Sequence, residues 1–335
     1  MDLTLLAQAQ EDLCIFSPAS PPAESIRDVS MLVLAITGVI FLIVEAVLFY
    51  CIFRFWRRGK AASEPPQVYG SKPIEVAWTA APALIVFVLV LVTTRTLWEV
   101  NVDPTEPHEG DGALFVTVIG HQWWWEYQYE YYNGQKLGFA TSNELHVPVD
   151  EAEQPRPVYL KLKSADVCHS FWVPRLAGKT DLIPGRTNHI WFRTAVPGVY
   201  LGQCAEYCGT QHAKMLIRVI AEPSADFEKW LANEQKPALD DSAAQTGKAA
   251  FLAQSCINCH TVRFPNSPAQ GTFGPDLTHL MSRASLASGI LPNTPETLHA
   301  WVADPQKHKP GCLMPAFSLS EDDRALMVGY LSTLR

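Results

Sequence analysis

The segment 204–215 reads CAEYCGTQHAKM and places Cys204, Cys208, His212 and Met215 within 12 residues. His169 stands 35 residues before Cys204, in DVCHSFWVP. Thiolates, imidazoles and a thioether are the ligand set of copper electron-transfer sites. A mononuclear site of that kind needs one Cys, two His and a distant axial Met, so the second Cys is surplus. Two bridging thiolates can instead hold two copper ions, each completed by one His and one weaker ligand. The Met215 sulfur supplies one weak ligand, and the backbone carbonyl of Glu206, between the two cysteines, is placed to supply the other. A tetrahedral zinc site would use the same Cys and His residues but leaves Met215 without a role. A Cys204–Cys208 disulfide is a further state open to the isolated apoprotein.

A second group lies downstream. Cys256, Cys259 and His260 form CINCH, the C-x-x-C-H pattern by which c-type haem is attached. The two thiols add to the haem vinyl groups and the adjacent His becomes the proximal iron ligand. Met314, on the Pro-rich loop KPGCLMPAF, is the candidate distal ligand, and Met/His ligation raises the haem potential. His308 is the second candidate. Met281 and Met327 fall in helix-like segments and read as core packing. His279 and His299 read as surface residues.

Elements must position these groups. The chain has 335 residues, with 34 acidic against 26 basic side chains and a net charge of −8, which excludes the basic face of a nucleic-acid binder. Charged residues make up 18%, against about 25% in ordinary soluble chains. The deficit is concentrated in two apolar runs. Met31 to Phe53 carries one charge, Glu45, and is long enough to cross a hydrocarbon core of about 30 Å. The second runs from Val76 through Val92 to Trp98, with Pro82 near its start, Arg95 able to snorkel and Trp98 suited to the headgroup belt. The intervening loop from Arg54 to Glu75 carries Arg54, Arg57, Arg58, Lys60 and Lys72, whereas Arg27 is the only basic residue before the first span. The positive-inside rule places that loop in the cytoplasm and both termini outside.

From about Asn101 to Glu222, short aromatic and β-branched runs alternate with Gly, Pro and Asn turns, the pattern of a β-sandwich or barrel. A Pro-, Ala- and charge-rich stretch follows and reads as a linker with one helix near Phe227–Asn233. From Gln245 the pattern is helical. The expected division is 1–30, an N-terminal outer segment; 31–98, a transmembrane hairpin; 99–222, the copper domain; 223–244, the linker; and 245–335, the haem domain.

GHQWWWEYQY, DVCHSFWVP, KTDLIPGR and CAEYCGTQHAKM resemble subunit II of the cytochrome c oxidases, with its binuclear copper centre, over residues 25–222. Residues 245–335 resemble a class I cytochrome c fused to that subunit, as in caa-type haem–copper oxidases. The resemblance implies a multidomain membrane protein: a two-helix hairpin, an all-β cupredoxin Greek-key domain and an all-α cytochrome c domain. It implies two copper ions, covalent haem c, and Mg²⁺ held by Glu206 at the interface with subunit I. Glu75, in IEVAWT, matches a family glutamate at the mouth of a proton path. Trp123 matches the residue that carries electrons from cytochrome c toward copper. The implied partners are subunits I and III, membrane lipid, and an external donor such as a soluble cytochrome c or a quinol–cytochrome c reductase. The implied location is the bacterial inner membrane, with both metal domains on the periplasmic side. The implied function is to receive electrons for reduction of dioxygen to water coupled to proton pumping. A copper-containing nitric oxide reductase subunit and a membrane-anchored electron carrier are the alternatives.

Three expectations follow from side-chain placement. Strand alternation puts Trp123 and Trp125 on one face and Trp124 on the other, so at least one faces outward, and Trp123 is expected at a docking surface met transiently by the tethered haem domain. Cys168, beside His169, points away from the copper group. Cys51, Cys168 and Cys312 read as small buried hydrophobes, while Cys14 has no assigned role.

Overall fold

Helix α1 (Pro21–Phe55) and helix α2 (Lys72–Val100) are the two apolar runs. At 1.5 Å per residue they measure about 52 and 44 Å, longer than a bilayer core. From Glu24 onward neither helix buries a residue, so both present apolar side chains on every side, as lipid-facing helices do. Ser25 near the start of α1 donates to Glu99 near the end of α2 (3.3 Å), which makes the pair an antiparallel hairpin. Pro73 lies in the first turn of α2, where a missing amide donor costs least, whereas Pro82, expected near the helix start, falls in its interior because the helix already begins at Lys72. This computed structural model describes residues 14–56, 66–67, 69–101, 112–149, 156–239 and 241–335. The loop cations Arg57, Arg58 and Lys60 lie outside the described residues.

The hairpin is one compact unit; the remainder forms the other. In that second unit, ten strands build two facing sheets. The first has the order β3 (Gln135–Ser142), β2 (Trp124–Tyr132), β1 (Leu114–His121), β5 (Val158–Ser164), β8 (Asn188–Phe192). The second has the order β4 (Glu144–Val149), β10 (Leu216–Pro223), β9 (Gly198–Cys204), β6 (His169–Trp172), β7 (Thr180–Leu182). Period-two burial fills the space between them: Trp125, Tyr127 and Tyr129 point inward from β2, and Val158, Leu160 and Leu162 from β5. An N-terminal strap joins the sandwich, with Ala19 N donating to Arg175 O (2.8 Å).

Helix α3 (Ser224–Glu234) corrects the expected linker. Phe227 and Leu231 are buried in the sandwich core, and Trp230 stacks on His146 at 4.3 Å. The helix therefore closes one end of the sandwich and is not a free spacer. Beyond it, α4 (Gln245–Leu252), α5 (Pro295–Ala303), the short α6 (Pro305–His308) and α7 (Glu321–Leu331) surround a separate apolar core that contains Phe251, Leu298, Met327 and Tyr330. Thr294 caps α5 in a reciprocal pairing with Thr297, and Ser320 caps α7 through Asp323 N.

Candidate metal centres

Strand pairing explains the copper cluster. Leu216 on β10 faces Gln203 on β9, and the next rung is Cys204 N donating to Met215 O (3.0 Å). The loop 204–215 is thus pinched shut at both ends. On its other side β9 pairs with β6, Phe171 opposite Cys204, which brings His169 alongside. The Sγ atoms of Cys204 and Cys208 are 3.8 Å apart. His169 Nδ1 lies 4.0 Å from Cys204 Sγ, and His212 Nδ1 3.7 Å from Cys208 Sγ. Met215 Sδ is 3.9 Å from Cys208 Sγ, and the Glu206 carbonyl 3.2 Å from Cys204 Sγ. All six expected donor atoms therefore converge.

The electrostatics call for a cation. The hydrogen bond with Cys208 pulls the Cys204 thiol down to about 3, against burial and with help from His169. The same bond, together with burial, pushes Cys208 up. The pair by itself holds one proton, so ionising both sulfurs requires positive charge between them, which soft metal ions supply. The Met215 thioether within reach of the thiolate pair suits copper better than zinc.

Asp166 is a residue that motif reasoning left without a role. Its carboxylate meets His169 Nε2 at 2.8 Å, leaving Nδ1 facing the cysteines, and it also accepts from Gln122 N at 2.7 Å. Burial favours the neutral forms of both partners, but their mutual hydrogen bond prevails and holds Asp166 below, and His169 above, their ordinary values. A carboxylate behind a ligating imidazole is the usual orienting device of metal sites. The available signal was Asp166 in the quoted run DVCHS.

The haem cleft is assembled differently. Cys256, Cys259 and His260 line one wall and Met314 lines the loop that closes it. His260 Nδ1 meets Pro275 O at 2.8 Å, so Nε2 is the nitrogen available to a metal. Burial lowers the His260 pKa, with the Pro275 contact opposing, and keeps the ring neutral as a ligand must be. Gln306 Nε2 donates to Cys312 O and Met314 O, both at 2.8 Å, and fixes the methionine loop. His308 packs toward Trp301 and is not among the described residues lining the cleft. The buried Arg283 guanidinium lines the same space, and its Nε has no partner among the described residues. Two thiols, an imidazole, a thioether and a buried guanidinium with an unused Nε donor, in an apolar cleft, fit a macrocycle that carries iron and carboxylates.

Several expectations need correction. Trp123 is not exposed: it keeps 8% of its surface, lines the haem cleft, and donates from Nε1 to Cys208 O at 3.0 Å. Residues 122–123 form a turn and β2 starts at Trp124, so strand alternation does not reach Trp123. Trp125 is fully buried against Phe171, while Trp124 is half-exposed and stacks on His121 at 4.2 Å. Cys168 is exposed, because it precedes β6 where no partner sheet covers it. Cys312 is half-buried. Cys51 lies among the lipid-facing side chains of α1. His279 is buried rather than superficial, bridging Lys236 O and Arg335 O. Glu75 stands in the first turn of α2, 3.7 Å from Lys72.

An apolar two-helix anchor, a β-sandwich with a soft-ligand cluster and a helical domain with a C-x-x-C-H cleft define a membrane-bound respiratory electron-transfer protein. Family profiles agree. Residues 114–222 match the periplasmic domain of cytochrome c oxidase subunit II, 9–95 its transmembrane domain, and 244–335 cytochrome c. "Cytochrome c oxidase subunit 2" of Alkalihalophilus pseudofirmus is 35% identical over 97% of this chain and 92% of its own length. The proteins of the same name from Bacillus sp. (strain PS3) and Bacillus subtilis are 34% and 32% identical, over 83% and 96% of this chain and 79% and 92% of theirs. The chain belongs to the cytochrome c oxidase subunit II family, in a form that carries a fused cytochrome c domain. Membership brings a copper CuA centre, a haem, and association with subunit I of a haem–copper oxidase.

Proposed function

We propose that electrons enter at the haem domain, cross Trp123 and reach the copper centre, from which subunit I draws them to reduce dioxygen. The single observation that carries this path is the position of Trp123, whose indole lines the haem cleft and hydrogen-bonds the carbonyl of a copper-loop cysteine. When bound, the haem and the copper pair each supply a one-electron carrier. The remaining work falls to the chain. His260 and Met314 would hold the iron, and Cys256 and Cys259 would tether the macrocycle. Cys204, Cys208, His169, His212, Met215 and the Glu206 carbonyl would hold copper.

The finer assignments rest on the same reading. The exposed Glu206 carboxylate is available to Mg²⁺ at the subunit I interface. Glu75, at the end of α2 that adjoins the basic loop, feeds a proton path. Subunit III and an external cytochrome c or quinol–cytochrome c reductase complete the partners. The hairpin sits in the bacterial inner membrane with both metal domains on the periplasmic side.

Flash-induced electron transfer in the purified oxidase tests the path. Trp123→Phe, which removes the donor to Cys208 O but keeps a ring, slows copper reduction by haem and leaves both spectra and potentials in place. An unchanged rate with both centres intact would show that electrons take another route.

A further inference from the structure

Lys309 is a buried lysine that no metal site requires. It keeps 3% of its surface, in the loop between α6 and the methionine ligand. Its Nζ donates to two carbonyls, Trp123 O at 2.7 Å and Ala287 O at 3.1 Å. The first belongs to the sandwich and the second to the haem domain. Lysines are almost never buried this deeply without a partner that repays the loss of hydration. Burial pushes the ammonium down to about 7, with Cys312 and Cys208 opposing and Lys214 adding to the fall. A side chain retained at such a cost makes a contact that an apolar residue could not.

The contact is one part of a seam between the two domains. The buried Glu144 carboxylate on β4 accepts from Ala284 N at 2.9 Å and from Ser285 Oγ at 2.6 Å. Arg218 on β10 donates to Gly289 O at 2.9 Å, and Leu216 N to Ser288 O at 3.3 Å. Lys214, between two copper ligands in the chain, donates to His308 O at 2.9 Å. The seam is polar, directional and mostly water-excluded, unlike the apolar, adaptable surfaces of transient redox encounters. Among these contacts, Lys309 alone grips the backbone of Trp123 itself.

We infer that Lys309 is a positioning residue that locks the fused haem domain onto the copper domain and sets Trp123 between the two centres, so that the donor is stationary rather than a tethered domain that searches for its site. This rests on the electron path proposed above. A stationary donor transfers electrons at a rate set by the fixed geometry, with no step of domain diffusion.

The test uses the whole oxidase. In the wild type, flash-induced haem-to-copper transfer is independent of solvent viscosity and of ionic strength. Lys309→Met keeps length and volume but leaves both carbonyls unpaired. It slows transfer about tenfold, the loss expected for one buried hydrogen bond, and makes the rate fall as viscosity rises. Haem and copper spectra and midpoint potentials stay unchanged. Amide hydrogen exchange across 284–289 and 306–312 speeds up in the same variant. If Lys309→Met fails to assemble, Lys309→Gln, whose amide still reaches one carbonyl, carries the same measurements with a smaller slowing. A viscosity-dependent wild type, or a Lys309→Met protein with wild-type rate and exchange, overturns the inference. Loss of exchange protection in Lys309→Met together with an unchanged rate in Trp123→Phe would keep the lock and discard the Trp123 path.

Discussion

The copper cradle and the haem cleft do related chemistry and are built on opposite plans. The cradle is a short loop pinched between two paired strands and joined by His169 from β6, and its six donors lie close together. The cleft is a cavity whose candidate ligands come from a compact motif and a loop more than 50 residues later, with part of its wall from the neighbouring domain: Gln122, Trp123, Trp124 and Asn143 all line it. Small ions can be held by one loop and a single residue of the neighbouring strand. A macrocycle needs walls, and walls come from wherever the fold provides surface. The cradle therefore depends on local ladder geometry, whereas the cleft depends on packing between distant segments.

The largest expected effect separates the two outright. Cys208→Ser removes a bridging ligand and abolishes the binuclear copper signal in electron paramagnetic resonance, while the haem absorption spectrum is retained. Survival of the binuclear signal would contradict the bridging assignment. Met314→Ala makes the reciprocal cut: the haem potential falls and the methionine-to-iron band in the red disappears, with copper content unchanged. If Met281→Ala produced this and Met314→Ala did not, the closing loop would be misassigned.

A matched pair of glycines sharpens the contrast. A Cβ on Gly120 would lie 2.8 Å from His169 Cδ2, and one on Gly274 would lie 2.7 Å from His260 Cε1. Each Ala substitution forces a shift costing about 1–3 kcal/mol. Gly120→Ala broadens the copper spectrum and leaves the haem alone. Gly274→Ala shifts the haem bands and leaves copper alone. Crossed effects would mean that the two sites are mechanically coupled through the seam. The smallest effect falls on orientation. Asp166→Asn keeps a hydrogen-bonding group behind His169 but removes its charge, and weakens copper retention against a chelator by about tenfold, the low end for partners of this kind. Equal retention would reduce Asp166 to a structural turn residue.

Much of this was legible in the residues. Donor types at short spacing identify a loop site, because chain connectivity alone keeps residues 204–215 together. C-x-x-C-H is equally local. Apolar runs longer than a bilayer is thick identify the hairpin, since every backbone group must be satisfied within the helix. Period-two alternation marks the strands, and Trp125, Tyr127 and Tyr129 point inward as that period requires. The failures share a cause. Trp123 was expected outside because alternation was extended past the start of β2, and because nothing in a linear text says that another domain covers it. Cys168 was expected inside because a free cysteine usually packs as a small hydrophobe, yet β6 begins only at His169 and leaves it exposed.

The sequence by itself determined the parts: two spans, a strand-rich domain with a copper-type ligand loop, and a helical domain with a haem motif. These follow from periodicity and short-range spacing, which act over a few residues. Only the tertiary structure decided how the parts meet. It buried the helix of a supposed linker in the sandwich core, set Asp166 behind His169, placed the buried Arg283 in the wall of the haem cleft, and brought Lys309 to the carbonyl of Trp123, 186 residues away in the chain. Such pairings depend on the closing of long loops and on the burial of polar groups that must then find partners. No local pattern encodes them, because the free energy that selects them belongs to the packed interface as a whole.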